Sequence, residues 1–254
     1  MLQLQILVLV ATVGVWQLLG SAGVVDKFYI SSPVDVLKRL WSFRESVGQP
    51  GSALSIWNHI GTTMTEALYG FALGTVVGIL TGFFLGQFPI VGKAVEPLLN
   101  LANTLPRVAL GPIFILWFGL GQASKTSLVF TVVVFIMIFN TQAGTQNVDE
   151  DLIAATRLLG ANRLQLTWKL TFPSCLPWIF AGARTAIAWS LGGAVIGEYL
   201  GSQAGVGYLI FYYANALNNT GLIAGCVVLL LMSFVMFSVL NVVERLVVRD
   251  ARRR

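Results

Sequence analysis

Apolar residues gather in blocks at residues 2–19, 62–88, 90–120, 128–140, 176–200 and 222–243, with polar positions collected between them. An α-helix rises about 1.5 Å per residue and a bilayer's hydrocarbon core is about 30 Å thick, so about twenty apolar residues make one crossing. The pattern predicts an all-α polytopic membrane bundle of about six transmembrane helices, a single domain over residues 1–254. Residues 60–245 form its core and the first helix, 2–20, is peripheral. The first block also resembles a signal peptide ending at Ser21-Ala22-Gly23. No basic residue precedes it and it exceeds the usual apolar region, so a membrane helix is expected.

Two blocks carry internal structure. Gly70, Gly74, Gly78, Gly82 and Gly86 form a row at four-residue spacing, which a membrane helix uses for close approach to a neighbour. Four residues turn through about 400°, so the row drifts round a straight helix and should be crossed at an angle. The 90–120 block is interrupted at Leu105-Pro106-Arg107 and at Gly111-Pro112. Proline removes a backbone hydrogen bond, which a membrane tolerates beside protein or a water-filled cavity, so a broken helix near a translocation path is expected. In the polar stretch 26–59, Ser31 or Ser32 is placed to cap a short interfacial helix begun by Pro33, and Trp41 and Trp57 suit the membrane interface.

Residues 146–173 are too polar for the bilayer interior. Asp149, Glu150 and Asp151 open a helix whose far end carries Arg157, both complementing the helix dipole, and Gly160 suits a left-handed C-terminal cap. Gly160→Asp is expected to clash at that cap. With the tail Arg249, Arg252, Arg253 and Arg254 inside, two crossings back place this stretch inside, and four more put the N-terminus inside. Lys93, Arg157, Arg163 and Lys169 are then internal, and Lys27, Lys38, Arg39, Arg44 and Lys125 external.

Composition agrees with a lipid solvent: 11% of residues are charged, against about 25% in soluble domains. Much of the net charge of +5 is the terminal arginine cluster, so nucleic-acid binding is not expected. One histidine, His59, and two separated cysteines, Cys175 and Cys226, supply neither a metal site nor a catalytic pair.

The cytoplasmic stretch resembles that of the inner-membrane permeases of binding-protein-dependent ABC importers. Their loop reads Glu-Ala-Ala, three residues, Gly, nine residues, Ile, one residue, Leu-Pro. Here Ala154-Ala155-Thr156, Gly160, Leu170 and Phe172-Pro173 keep every spacing, with Ala154 in place of the glutamate and Thr156 in place of an alanine. Gly70-Phe71-Ala72-Leu73-Gly74, Trp117-Phe118-Gly119, and Gly197-Glu198-Tyr199-Leu200 with Gly205-Val206-Gly207-Tyr208 look like the nitrate, sulfonate, taurine and bicarbonate branch.

The resemblance implies the type I importer permease fold in a bacterial inner membrane, both termini cytoplasmic. It implies two separate ATP-binding subunits inside, a substrate-binding protein outside and a second permease copy, expected to be identical. Ala154, Ala155, Thr156, Arg157, Gly160, Ala161, Arg163, Leu170 and Pro173 would then contact the ATPase. The chain lacks Gly-x-x-x-x-Gly-Lys-Ser/Thr, so it needs no cofactor and its partner binds ATP and magnesium. Intramembrane charges are costly and often functional, which nominates Arg107, Arg184 and Glu198 for the path of a small anionic solute, with Trp117 and Tyr199 as lining. Glu66, Glu96 and Glu198 are alternatively partners for the arginines. Three other readings are a secondary transporter, an intramembrane enzyme and a scaffold. The first needs inverted repeats with titratable pairs, and the second a nucleophile with its base. The third has little use for broken helices.

Overall fold

The computed structural model describes residues 2–21, 31–42 and 55–251. Lys27, Arg44, Arg252, Arg253 and Arg254 lie outside the described residues. The elements are α1 (Leu2–Ser21), α2 (Pro33–Ser42), α3 (Ile56–Gln87), α4 (Pro89–Thr104), α5 (Arg107–Phe118), α6 (Gln122–Gln146), α7 (Glu150–Leu158), α8 (Arg163–Leu166), α9 (Phe172–Gly201), α10 (Val206–Asn215) and α11 (Asn219–Ala251). Among the described residues there is no strand. Four stretches are long and apolar enough to cross a membrane: α3, α6, the continuous helix Arg163–Gly201, and Asn219–Val247. The pair α4 and α5, bent by 87°, makes a fifth, and α1 is the helix that the six-span pattern places first.

The glycine row explains the bundle's centre. All five glycines are buried against α6: Gly70 on Val129, Gly74 on Val133, Gly78 on Met137, Gly82 on Ile138 and Thr141, Gly86 on Thr145. A Cβ at Gly74 would fall 2.8 Å from Val133 Cβ, and one at Gly86 2.5 Å from Thr145 Cβ, so here the helix backbone itself is the contact surface. The partners Val129, Val133, Met137, Thr141 and Thr145 repeat the four-residue spacing, so two rows with the same drift meet along the whole seam.

Residue numbers rise together along that seam, so α3 and α6 run parallel. The intervening chain must therefore return to the starting end, and α4 and α5 take it there. Gly92 lies against the Leu85 carbonyl near the end of α3, while Gly111 touches Leu200 and Gly201 touches Leu120 beside the start of α6. The bent pair thus acts as a crossing.

On its other side α6 meets α9 antiparallel, with Gly144 on Trp178, Gly182 on Asn140, Gly193 on Val129 and Gly197 on Lys125. Val129, Val133, Met137, Ala186, Ile187 and Ala194 fill the common core. Exposed apolar side chains such as Leu73, Leu80, Leu230 and Phe234 face outward, as lipid contact requires.

The interfacial helix forms as the sequence predicts. Ser32 Oγ accepts from Asp35 N at 3.2 Å, and Trp41 and Trp57 are exposed. Arg39 ties α2 to the bundle by donating to the Tyr213 hydroxyl at 3.1 Å.

Candidate functional site

The polar stretch 146–173 contains α7, capped at both ends by local residues. Asp149 accepts from Asp151 N at 2.9 Å at the start. At the end, Gly160 N donates to the Arg157 carbonyl at 2.9 Å and Ala161 N to the Thr156 carbonyl at 3.3 Å. This bond pair needs a left-handed residue, and Gly160 supplies it with φ of 85°. A Cβ at Gly160 would meet nothing within 4 Å. The clash expected of Gly160→Asp is therefore absent, and its cost is the backbone conformation and the misplaced charge.

No residue of α7 is buried, and Leu158 and Leu159 are 89% and 88% exposed. Ala154, Ala155, Arg157 and Arg163 are exposed too, with Thr156, Ala161, Leu170 and Pro173 half-buried. An exposed leucine pair beside a self-capped helix suits contact with an apolar partner.

Behind α7, Asn162 and Gln165 cap each other reciprocally at 2.8 and 2.9 Å to start α8. A single π turn, Thr167–Thr171, then joins α8 to α9 without a break. Proline in a helix has no N–H and its ring collides with the carbonyl four residues back, here that of Lys169, so a widened turn immediately before Pro173 relieves the collision. Phe172 packs edge-on to Phe83 of α3 at 5.6 Å. The helix Arg163–Gly201 thus touches α3 through Phe172, and the turn at Gly160 joins α7 to it.

The 90–120 block breaks at Leu105-Pro106, and Arg107 opens α5. The guanidinium lies 4.9 Å over the Phe135 ring and donates to Asn103 Oδ1 at 2.6 Å and to the carbonyls of Asn103 at 3.2 Å and Ala102 at 3.4 Å. Phe135 stands midway along α6, so Arg107 sits at mid-depth in the bundle. No carboxylate among the described residues pairs with it.

The other candidates lie apart from Arg107. Arg184 forms an ion pair with Glu244, joining α9 to α11. Trp117 is exposed at the far end of α5, 6.0 Å from Phe114, and Tyr199 is part-exposed, 5.6 Å from Phe211.

Glu198 is 2% exposed, and both its oxygens are engaged. It accepts from Thr63 Oγ1 at 2.5 Å, Gly207 N at 2.5 Å and Tyr208 N at 3.2 Å. Lys125, expected on the outer side, is buried at the start of α6. Its Nζ lies 3.4 Å from Glu66 Oε1 and 2.7 Å from Ser202 Oγ. Of the two alternatives for the glutamates, Glu66 and Glu198 lie at helix interfaces and do not pair with Arg107 or Arg184. His59 and Thr63 were not nominated from sequence, although polar residues at helical spacing on one face of an apolar span, with Glu66, were the available signal.

Residues 74–252 match the family model described as "Binding-protein-dependent transport system inner membrane component". A putative aliphatic sulfonates transport permease of Bacillus subtilis (strain 168) is 28% identical over 92% of this chain and 82% of its own length. A riboflavin transport system permease of Chloroflexus aurantiacus is 31% identical over 92% of this chain and 85% of its own. Among solved structures, an inward-facing form of the MetNI methionine ABC transporter superposes with a TM-score of 0.56 at 20% identity, covering 81% of this chain and 98% of that one. The chain is a membrane-embedded transport permease, not an enzyme, and it belongs to the family of binding-protein-dependent ABC importer inner membrane components.

Proposed function

We propose that this chain lines the translocation path of an ATP-driven importer for a small anionic solute, as one of two identical copies. A substrate-binding protein delivers the solute at the outer face. Two ATPase subunits, which bind ATP and magnesium, dock on the segment from Ala154 to Pro173 at the inner face. Five crossings after residue 55 and one before it put both termini on one side, and the terminal arginines favour the cytoplasm.

The observation that carries the reading is α7, without a buried residue and followed by an exposed leucine pair, which a tight turn at Gly160 joins to Arg163–Gly201, a helix long and apolar enough to cross a membrane. ATP-driven closure of the ATPase pair moves α7, and α9 carries that displacement into the glycine-packed seams. A bundle with two packings then opens outward, and hydrolysis returns it inward.

Arg107 supports the anion. A cation at mid-depth without an acidic partner is costly against lipid, so it faces the path or the second copy. The exposed apolar face of α4 and α5, with Leu98, Leu101 and Val108, suits that second copy. The relatives' names include a sulfonate, whose charge a guanidinium fork matches.

Uptake into proteoliposomes holding the whole transporter, tried with a short alkanesulfonate and with nitrate, tests this. Loss of a hydrogen bond to a charged group is worth about 1.5–3 kcal/mol, so Arg107→Ala should lower anion uptake roughly tenfold to a hundredfold. Arg107→Lys, which keeps charge without the fork, should fall between. Wild-type uptake by Arg107→Ala would remove Arg107 from the path.

A further inference from the structure

We propose that Glu198 is a positioning residue of the transport cycle, latching α10 across the outer end of the bundle and holding that end closed until the path opens outward. The proposal rests on the importer reading above.

A helix start ordinarily satisfies its free N–H groups with a capping side chain next to it in sequence. In α10 the cap position is Gly205, which has no side chain, and the four successive amides from Gly205 to Tyr208 are all taken by two other helices. Gly205 N donates to His59 Nδ1 at 3.0 Å and Val206 N to Thr63 Oγ1 at 2.8 Å, both on α3. Gly207 N and Tyr208 N donate to Glu198 Oε2 on α9.

Thr63 closes the ring, because its hydroxyl donates to Glu198 Oε1 while accepting from Val206 N. The start of α10 is therefore satisfied only while the outer ends of α3 and α9 stand together.

The third helix of the seam joins through Lys125 of α6. It bonds Ser202 Oγ in the loop entering α10, and that oxygen donates to the Ala204 carbonyl at 2.5 Å. Two carboxylates, Glu66 and Glu198, face one ammonium here, and the positive end of the α10 dipole lies at the second carboxylate. Any Cβ at Gly205 or Gly207 would fall on the Glu198 carboxyl group, so both glycines of the Gly205-Val206-Gly207 motif are there to let it reach the amides.

Elsewhere the seams of α3, α6 and α9 are mostly apolar backbone-to-backbone contacts. The outer end alone, among the described residues, gathers this ring of directional polar bonds, and such a ring is made or broken as a unit.

The test uses the complete transporter in nanodiscs, comparing wild type with Glu198→Gln, Glu198→Asp and Thr63→Val. The glutamine amide puts a donor against either the α10 amides or the Thr63 hydroxyl, and the valine keeps Thr63's shape without its hydroxyl.

Deuterium exchange of the α10 amides should quicken at least about tenfold in Glu198→Gln and Thr63→Val while the α3 glycine row stays protected. ATP hydrolysis without binding protein should rise about fivefold. Glu198→Asp, which keeps the charge, should recover part of both.

A purely structural role would lower the yield of complex without raising that hydrolysis. Unchanged exchange overturns the proposal, and so does fast exchange with unchanged hydrolysis. A wild-type chain that captures no ATPase overturns the importer reading itself.

Discussion

Gly78→Leu is expected to destabilise the folded protein by about 3 kcal/mol or more. A Cβ alone at that position would land on Met137 Cβ and 2.8 Å from the Val134 carbonyl. The obstacle includes α6 backbone, so no rotamer change relieves it and the two helices must part. Overpacking costs about 1–3 kcal/mol when side chains can yield, and this change belongs at or above the upper end of that range. Because α6 also carries α9, parting one seam disturbs the other. Gly61→Leu on the same helix is the control, since a Cβ there meets nothing within 4 Å. Thermal unfolding in detergent, followed by size-exclusion profile, reads the difference, and equal stability of the two variants would mean that α3 and α6 do not pack through the glycine row.

The second large effect is expected at the α7 cap. Gly160 adopts φ of 85°, a conformation costing an L-residue about 1–2 kcal/mol, more when the side chain is β-branched. Gly160→Val should lose both cap bonds, turn Leu158 and Leu159 away from their docked direction, and weaken capture of the ATPase by about tenfold or more. Gly160→Asp should do less, because aspartate tolerates the left-handed region and its cost reduces to a charge at the negative end of a short helix, about 0.3–1 kcal/mol. Valine more harmful than aspartate is the ordering that open space round Gly160 requires. The reverse order would point to a packed cap. Pull-down of the ATPase by detergent-solubilised permease measures both.

The readable parts of the sequence were those in which one short pattern has one physical meaning. A row of glycines at four-residue spacing meant a seam, three acids before an apolar run meant a helix start, and Gly160 meant its end. Boundaries were harder wherever polar residues turned inward. The apolar block 128–140 falls well short of α6, Gln122–Gln146, because Ser124, Lys125, Thr141, Gln142 and Thr145 are buried inside the bundle. Likewise the apolar block 176–200 falls short of the helix, which a π turn lets run from Arg163 to Gly201.

Among the path candidates, the cost of intramembrane charge singled out Glu198 and Arg184 but did not say how each is satisfied. That depends on Thr63, 135 residues from Glu198, and on Glu244, 60 residues from Arg184. Parallel packing of α3 and α6, which makes the bent α4–α5 pair a crossing, is a tertiary fact with no local trace.

The most direct test of coupling through the cytoplasmic segment is capture of the partner ATPase, with ATP hydrolysis by the captured complex, for wild type and for Leu158→Asp combined with Leu159→Asp. Both leucines project from a surface helix, so the double variant should fold and unfold as wild type does. Loss of ATPase capture and of coupled hydrolysis in that folded variant is the expected result. Undiminished capture and hydrolysis would contradict the assignment of α7 as the docking surface and favour a transporter that draws its energy elsewhere.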